Sequence, residues 1–430
     1  MQPERLRESS RWSQRSADHR KASRAVCTLK GCEKNFVHPF RVRTTLTHLP
    51  EVFTAFRPPA TFFQPFGLQN LIEVVFNHSL AHVRSYKENH TRMAGSRWKK
   101  ITLITLIALI ILVSLGITFT IGWRPIIGAK KRALTDRKFA ATPARLSRGK
   151  YLVDGVNGCF GCHTDADWSK PGAPPVAGRE GSGHIWADQD LPWLVSPNIT
   201  PDKETGAGNW SDDTLARAIR EGIGHDGRAL FPEMPYPHYR EMSDEDLASI
   251  VVYLRSVPPV RNQLPTTKMP YPQNFLIQSV PQPVTAAVAP PNQSSDVARG
   301  AYLVSMAACT GCHTPQEKGQ PLPGMEFAGG FLFHEPKGDV VSTNITPSAS
   351  GIGYYNDATF IQALRIGKVG ARPLRATMPW YYFGKMTDDD LKSIFALLKT
   401  VKPVKHQMDN FEPPTFCRLC KQKHGFGQTN

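Results

Sequence analysis

The longest apolar run of the chain spans residues 101–123 and contains no charged residue. At about 1.5 Å per residue, a helix of this length can cross a hydrocarbon core of about 30 Å. The run is longer than the apolar core of a cleaved secretory signal, and residues 126–129 form a poor cleavage site. We therefore predict an uncleaved membrane anchor over residues 93–123, with a cleaved signal as the alternative, and a linker over 124–144.

Further along the chain, apolar periodicity predicts one helix that occurs twice. It is predicted at Asp212–Glu221 and again at Asp357–Ile366, where Gly222 and Gly367 are suitable C-terminal stops. The repetition indicates two halves built on the same plan.

A second predicted helix closes each half. Ser243 and Thr387 are suitable N-caps, and an aspartate follows three residues after each. We expect one apolar face of each closing helix to pack on the first helix of its own half. The apolar positions on these faces are Leu247, Ile250, Val251 and Leu254, and Leu391, Ile394, Phe395 and Leu398.

Residues 1–92 show no sustained period of a helix or a strand. We predict that this stretch is disordered or lies outside the natural protein, whose start would then be Met93. Cys27 and Cys32 fall within it, without a neighbouring histidine that would suggest a metal site.

The positive charge is concentrated at the N-terminal side. Of the 52 Lys and Arg and 36 Asp and Glu in the chain, residues 1–148 hold 26 and 8. The remainder carries 26 basic and 28 acidic residues, so it lacks the basic excess that nucleic-acid binding requires. We expect no nucleic-acid partner.

Each half contains the pentapeptide Cys-x-x-Cys-His, at 159–163 and at 309–313. Two thiols three positions apart can form thioethers to the two vinyl groups of one porphyrin, and the adjacent imidazole can bind its iron. We predict two covalently bound haem c groups. The attaching residues would be Cys159, Cys162 and His163, and Cys309, Cys312 and His313.

Met234 and Met378 are the predicted sixth ligands of the two irons. Each is followed by proline and lies between two predicted helices. A thioether favours Fe(II), which suits electron transfer. Met242 and Met386 also align, but they lie next to helix caps, where packing is expected.

Arg220 and Arg365 occupy the same place on the repeated helix. They either neutralise haem propionates or are ordinary surface residues.

Proline content and the repeat fix the domain boundaries that we predict. The first haem domain would span 145–262, a Pro-rich extended linker 263–295, and the second haem domain 296–405. Residues 406–430 form a C-terminal tail.

The tail contains a third cysteine pair, Cys417 and Cys420, which is not followed by histidine and is therefore unsuited to haem attachment. Together with His424, the pair could supply three ligands to zinc, with the fourth unidentified. A strained disulfide between the two cysteines is the alternative.

The repeated motifs Asn-Ile-Thr-Pro (198–201 and 344–347), Met-Pro-aromatic and Cys-x-x-Cys-His are similar to the multihaem cytochrome c subunits of membrane-bound alcohol and gluconate dehydrogenases. The resemblance covers roughly residues 145–405. It implies an all-α fold, with two tandem class I cytochrome c domains after the N-terminal transmembrane helix. Those subunits carry three haem sites and this chain carries two, so a stand-alone membrane dihaem cytochrome fits equally well.

The resemblance implies an electron-transfer protein without catalytic machinery of its own. It would carry electrons from a dehydrogenase to quinone, a terminal oxidase or another cytochrome. In bacteria, c-type haem is attached outside the cytoplasmic membrane, so the chain is expected in the inner membrane with its haem domains in the periplasm. The alternative is a dihaem cytochrome c peroxidase, which needs one iron without a fixed sixth ligand.

Overall fold

The computed structural model describes residues 94–186, 191–317, 319–334 and 338–430. The predictions for residues 1–92, including Cys27, Cys32 and the start at Met93, lie outside the described residues.

Helix α1 (Ala94–Phe119) contains residues 101–119 of the apolar run. Its segment from Trp98 to Phe119 is long and apolar enough to cross a membrane, and it is exposed along its length. Among the described residues it is the one helix with these properties. The short helix α2 (Arg124–Ile127) follows.

The repeated helix is present in both halves with the predicted bounds, and a closing helix follows it in each. In the first half the elements are α3 (Pro143–Tyr151), α4 (Cys159–Cys162), β1 (His184–Ile185), β2 (Val195–Ser196), α5 (Asp212–Glu221), α6 (Tyr236–Tyr239) and α7 (Asp244–Ser256). After the linker helix α8 (Gln273–Leu276), the second half contains α9 (Asp296–Met306), α10 (Cys309–His313), β3 (Gln316–Glu317), β4 (Gln320–Pro321), β5 (Leu332–Phe333), β6 (Val340–Val341), α11 (Asp357–Ile366), β7 (Lys368–Val369), β8 (Arg372–Pro373), α12 (Trp380–Phe383) and α13 (Asp388–Thr400). In the tail, β9 (Thr415–Phe416) pairs with β10 (Lys423–His424).

The all-α expectation is met only in part. Helices supply the core packing, but the described residues also form five antiparallel two-stranded ladders of two residues each. Strands this short show no alternating pattern that sequence reasoning could detect. The chain therefore combines helical packing with small β-ladders in its connecting loops.

The closing helices begin as predicted. The Ser243 hydroxyl accepts a hydrogen bond from the Asp246 N–H at 3.1 Å, and Thr387 does the same for Asp390 at 3.2 Å. In each half the closing helix packs on the first helix, α7 on α3 and α13 on α9. The apolar positions named above are all buried, and so are Met242 and Met386, which confirms their packing role.

Glycine permits the close crossing of these helices. A Cβ on Gly149 would lie 2.0 Å from the Ser249 carbonyl oxygen, and one on Gly300 equally close to that of Ser393. No larger residue fits at either crossing without moving a helix.

The first half contains one residue more than the second between the tyrosine of its first helix and its pentapeptide. Seven residues separate Tyr151 from Cys159, whereas six separate Tyr302 from Cys309. The extra residue is absorbed in a π-helical turn at Leu152–Val156, which directly follows α3. A π-turn accommodates an insertion without changing the direction of the helix.

The linker between the halves lies against the first half rather than extending freely. Val288 and Asp244 exchange two hydrogen bonds of 3.1 Å, and the Thr267 hydroxyl contacts the backbone of Val195. The buried apolar side chains of both halves form one continuous core.

Candidate functional site: two matched pentapeptide turns

Each pentapeptide forms one helical turn. The turns begin after Gly158 and Ala308, both in the left-handed region, with φ of 55° and 52°. The two thiols of each pentapeptide lie three positions apart on this turn and therefore share one face. This arrangement suits two thioether bonds to one porphyrin.

The histidines are oriented by backbone carbonyl groups. His163 Nδ1 lies 2.8 Å from the Pro197 carbonyl oxygen, and His313 Nδ1 lies 2.8 Å from that of Thr343. Both rings are buried, and burial lowers the pKa of each. A neutral imidazole that donates through Nδ1 keeps Nε2 as a free electron pair, which is the form that binds iron. The chemistry of these residues fits covalently attached haem.

The two predicted methionine ligands lie in identical turns. The Tyr236 N–H donates to the Met234 carbonyl oxygen at 2.7 Å, and the Trp380 N–H donates to that of Met378 at 2.7 Å. Both methionines are half-buried and pack against the core. Their assignment as iron ligands stays a prediction.

The aromatic residue after each Met-Pro pair packs on the glycine that ends the preceding long helix. Gly222 and Gly367 have φ of 74° and 65°, and a Cβ on either would lie within 2.4 Å of the ring of Tyr236 or Trp380. Each methionine turn is thereby held against the end of α5 or α11.

Arg220 and Arg365 have partners other than a propionate. Arg220 Nη1 lies 2.6 Å from Asp244 Oδ1, and Arg365 Nη2 lies 2.5 Å from Asp388 Oδ1. Arg220 is only 3% exposed, so its interpretation as a surface residue is wrong. Both arginines join a long helix to the start of the closing helix, across the methionine turn. Their assignment as haem-propionate partners stays a prediction. The same guanidinium groups also donate to the backbone carbonyl oxygens of Met242 and Met386.

A tyrosine of the second half binds the closing helix of the first. The Tyr302 hydroxyl donates to Asp246 at 2.7 Å and accepts from the Ser243 N–H at 3.2 Å. Asp246 is also held by Arg148 of its own half at 2.7 Å. One carboxylate thus joins the two halves.

In the same way, a tyrosine of the first half binds the closing helix of the second. The Tyr151 hydroxyl donates to Asp390 and accepts from the Thr387 N–H at 3.1 Å, while Arg299 lies 2.5 Å from Asp390. Burial and the nearby Asp390 raise the pKa of Tyr151 to about 12. The two halves therefore meet across an approximate two-fold axis. Sequence reasoning missed these tyrosines, although both stand in the repeated Arg-Gly-x-Tyr-Leu-Val motif.

The same axis brings each pentapeptide turn against the other half. A Cβ on Gly161 would lie 3.1 Å from the Tyr382 ring, and one on Gly311 would lie 3.4 Å from His238 Nε2. His238 and Tyr382 hold equivalent places, four residues after the predicted methionine ligands. Each turn thus contacts the methionine segment of the other half.

The second cysteines of the two pentapeptides, Cys162 and Cys312, interact with the same carboxylate. Burial, the Glu233 carboxylate and the Cys312 thiol raise the pKa of Cys162 to about 12. Surrounding protein atoms and the same carboxylate raise the pKa of Cys312 to about 11, although this residue is exposed to solvent. Glu233 therefore lies close to both thiols, where the halves meet.

The tail cysteines and histidine lie together, as the zinc prediction requires, and His406 joins them. The ligand atoms of His406, Cys417, Cys420 and His424 all lie within 4.8 Å of one another, and all four residues are buried. Sequence reasoning missed His406 because it lies 11 residues before Cys417 and has no counterpart histidine in the first half.

These features define a cytochrome c with two haem-attachment turns. The sequence model of the cytochrome c family matches residues 146–258 and 297–402, together about half of the 430 residues. The chain belongs to the cytochrome c family.

Among curated proteins, the chain is similar to one of the subunits of nicotinate dehydrogenase from Pseudomonas putida, with 34% identity over 220 residues, which are 47% of this chain and 17% of that protein. It is 30% identical to the gluconate 2-dehydrogenase cytochrome c subunit of Pantoea cypripedii over 63% of this chain and 62% of that protein. It is 27% identical to a diheme cytochrome c-type protein of Cereibacter sphaeroides over 62% of this chain and 89% of that protein. The chain thus spans less than two thirds of the length of the first two.

Proposed function

We propose that this chain is a membrane-anchored dihaem cytochrome c that carries electrons from a dehydrogenase to quinone, a terminal oxidase or another cytochrome. Helix α1 would anchor it in the bacterial inner membrane, and the haem domains, 145–262 and 296–405, would face the periplasm. The names of the dehydrogenase cytochrome subunits among its relatives support this direction of electron flow.

The residues that would hold the two haem groups are equivalent in the two halves. When bound, haem c supplies a one-electron Fe(III)/Fe(II) couple. Cysteine would provide the thioether bonds, histidine Nε2 the proximal ligand and methionine Sδ the distal ligand. The two sets are Cys159, Cys162, His163 and Met234, and Cys309, Cys312, His313 and Met378.

The observation that carries the proposal is the approximate two-fold interface. It places the Gly161 turn against Tyr382 and the Gly311 turn against His238. The Pro-rich linker is not needed to span a gap, because each pentapeptide turn already lies against the methionine segment of the other half. A close pair of one-electron sites suits transfer between a donor and an acceptor that dock on different halves.

The protein's own residues would tune both sites in the same way. The carbonyl groups of Pro197 and Thr343 accept from the two imidazoles, which fixes their tautomer and raises their basicity as ligands. Gly222 and Gly367 receive the aromatic rings that hold the methionine turns. Because the methionine turns of the two halves are alike, both irons would have a fixed sixth ligand. This arrangement suits an electron carrier rather than a peroxidase.

The ligand assignment is tested by replacing one methionine at a time. In Met234→Ala and Met378→Ala, we expect the long-wavelength sulfur-to-iron absorption band of the oxidised protein to lose about half of its intensity, because one of two thioether ligands is gone. Met269→Ala is the matched control, since Met269-Pro270-Tyr271 has the same letters but lies in the linker.

An unchanged band in either variant would refute the corresponding ligand. A high-spin iron in the oxidised wild type, together with turnover of hydrogen peroxide, would favour the peroxidase alternative instead. Co-purification from native membranes would identify the redox partner.

A further inference from the structure

We propose that the C-terminal tail binds a structural zinc ion through His406, Cys417, Cys420 and His424. The four residues lie outside both haem sites, so the proposal is independent of the electron-transfer function. The two thiolates balance the charge of Zn²⁺, and the two neutral imidazoles complete its four ligands. The site as a whole is then neutral and can be buried.

The geometry suits one tetrahedral ion. Zn–S and Zn–N bonds of about 2.3 and 2.0–2.1 Å place neighbouring ligand atoms of a tetrahedron about 3.3–3.8 Å apart. Cys417 Sγ already lies 3.4 Å from His406 Nε2, and all four ligand atoms lie within 4.8 Å of one another. Small inward side-chain movements therefore complete the site. Such close ligands favour a single ion over a two-iron cluster, in which cysteine and histidine bind different irons.

Each histidine directs Nε2 toward the site. His406 Nδ1 lies 2.8 Å from the Ala328 carbonyl oxygen, and His424 Nδ1 lies 2.8 Å from that of Gly425. Both rings then keep Nε2 unprotonated, as metal binding requires. His424 Nε2 is buried and has no hydrogen-bond partner. A zinc ion would satisfy this nitrogen.

His406 has a second ring nitrogen that its counterpart in the first half, Asn262, does not have. Asn262 holds the same place in the first half and donates to the Ser182 carbonyl oxygen at 2.9 Å, the counterpart of the bond from His406 to Ala328. Both residues also donate through their backbone N–H to a hydroxyl oxygen, that of Thr205 or Ser350. An amide therefore suffices for the structural bond. The histidine adds a second nitrogen, and that nitrogen faces Cys417.

The tail has little else to hold it together. Across residues 406–430, all of which are described, the buried side chains other than glycine belong to the four proposed ligands. Phe411 and Phe416 are 69% and 54% exposed. A segment without an apolar core of its own needs a metal ion or a disulfide to fold.

Backbone hydrogen bonds close the hairpin that carries the two tail cysteines. The Cys417 N–H donates to the Gln422 carbonyl oxygen at 2.8 Å, and the Lys421 N–H donates to that of Cys417 at 3.0 Å. Cys420 packs directly on Gly330 of the second half, where a Cβ would lie 2.7 Å away. Zinc would therefore fasten the tail to the second half.

The test is the metal content of the purified full-length protein with its haem attached. We expect about one zinc per chain in addition to the two haem irons, and a zinc X-ray absorption spectrum with two sulfur and two nitrogen ligands. His406→Asn should lose the zinc while keeping both haems, because asparagine preserves the structural hydrogen bond as Asn262 does. Arg418→Ala, at an exposed position between the two cysteines, is the matched control and should keep the zinc.

Three results would overturn the proposal. The first is wild-type protein that contains no zinc. The second is wild-type protein whose mass is two hydrogens lower and whose tail thiols are unreactive, which indicates the Cys417–Cys420 disulfide. The third is His406→Asn protein that retains zinc. Covalent haem, measured separately on the same samples, shows whether the electron-transfer proposal stands regardless of the zinc result.

Discussion

The tyrosines at the two-fold interface offer a direct measure of how firmly the halves are joined. Tyr302→Phe removes a hydroxyl that donates to Asp246 and accepts from the Ser243 N–H. A hydrogen bond to a charged group contributes about 1.5–3 kcal/mol net, and a backbone N–H left without a partner adds to the loss. We expect the free energy of unfolding to fall by about 2–3 kcal/mol.

Tyr151→Phe is the equivalent change at the opposite contact, with Asp390 and Thr387 as the partners. Arg148 pairs with Asp246 and also lies over the Tyr151 ring, so the two contacts are coupled. The double variant should be less stable than either single variant, but the two effects need not add. The assay is urea denaturation of the full chain, followed by haem absorption and by circular dichroism. We expect the double variant to unfold in two steps, because its halves separate before they unfold.

Tyr271→Phe is the control, since Tyr271 is 79% exposed and lies in the linker. If either single variant were as stable as this control, the tyrosine hydroxyls would not stabilise the interface between the halves. The same conclusion would follow if the double variant were no less stable than the single ones.

Two further predictions concern the packing within each half. Asp213 is fully buried against Arg132; burial alone would raise its pKa, but the hydrogen bonds from Arg132 and the backbone lower it well below its usual value. Asp213→Asn should therefore lower the free energy of unfolding by about 3 kcal/mol near neutral pH. The stability of the wild type should decline as the pH falls below about 4, because the carboxylate takes up a proton in the unfolded chain before it does so in the folded protein. A variant that keeps the wild-type acid profile in thermal melts would contradict this. Gly300→Ala would place a Cβ 2.0 Å from the Ser393 carbonyl oxygen. We therefore expect the free energy of unfolding to fall by about 1–3 kcal/mol and the amides of α9 and α13 to exchange hydrogen faster. Unchanged exchange would contradict the tight crossing.

Local signals in the sequence were sufficient for the long helices and their ends. The bounds Asp212–Glu221 and Asp357–Ile366 follow from apolar periodicity and a terminal glycine, and the caps at Ser243 and Thr387 follow from their side chains. These features depend on residues only a few positions apart, which is why one sequence reveals them.

Contacts between distant segments could not be predicted in this way. The Arg-Gly-x-Tyr motif is visible twice, but nothing local indicates that Tyr302 binds the other half. The aspartate partners of Arg220 and Arg365 lie 24 and 23 residues further along the chain, so no local pattern reveals these ion pairs. His406 became a candidate metal ligand only when the fold placed it beside Cys417.

Each pentapeptide is expected to carry one covalently attached haem, and the proposed electron transfer depends on both. The most direct test is pyridine haemochrome analysis of the denatured full-length protein, combined with its intact mass. We predict two haem groups per chain that remain bound through thioethers after denaturation and acid extraction. A single attached haem, or haem that is released by extraction, would contradict the account.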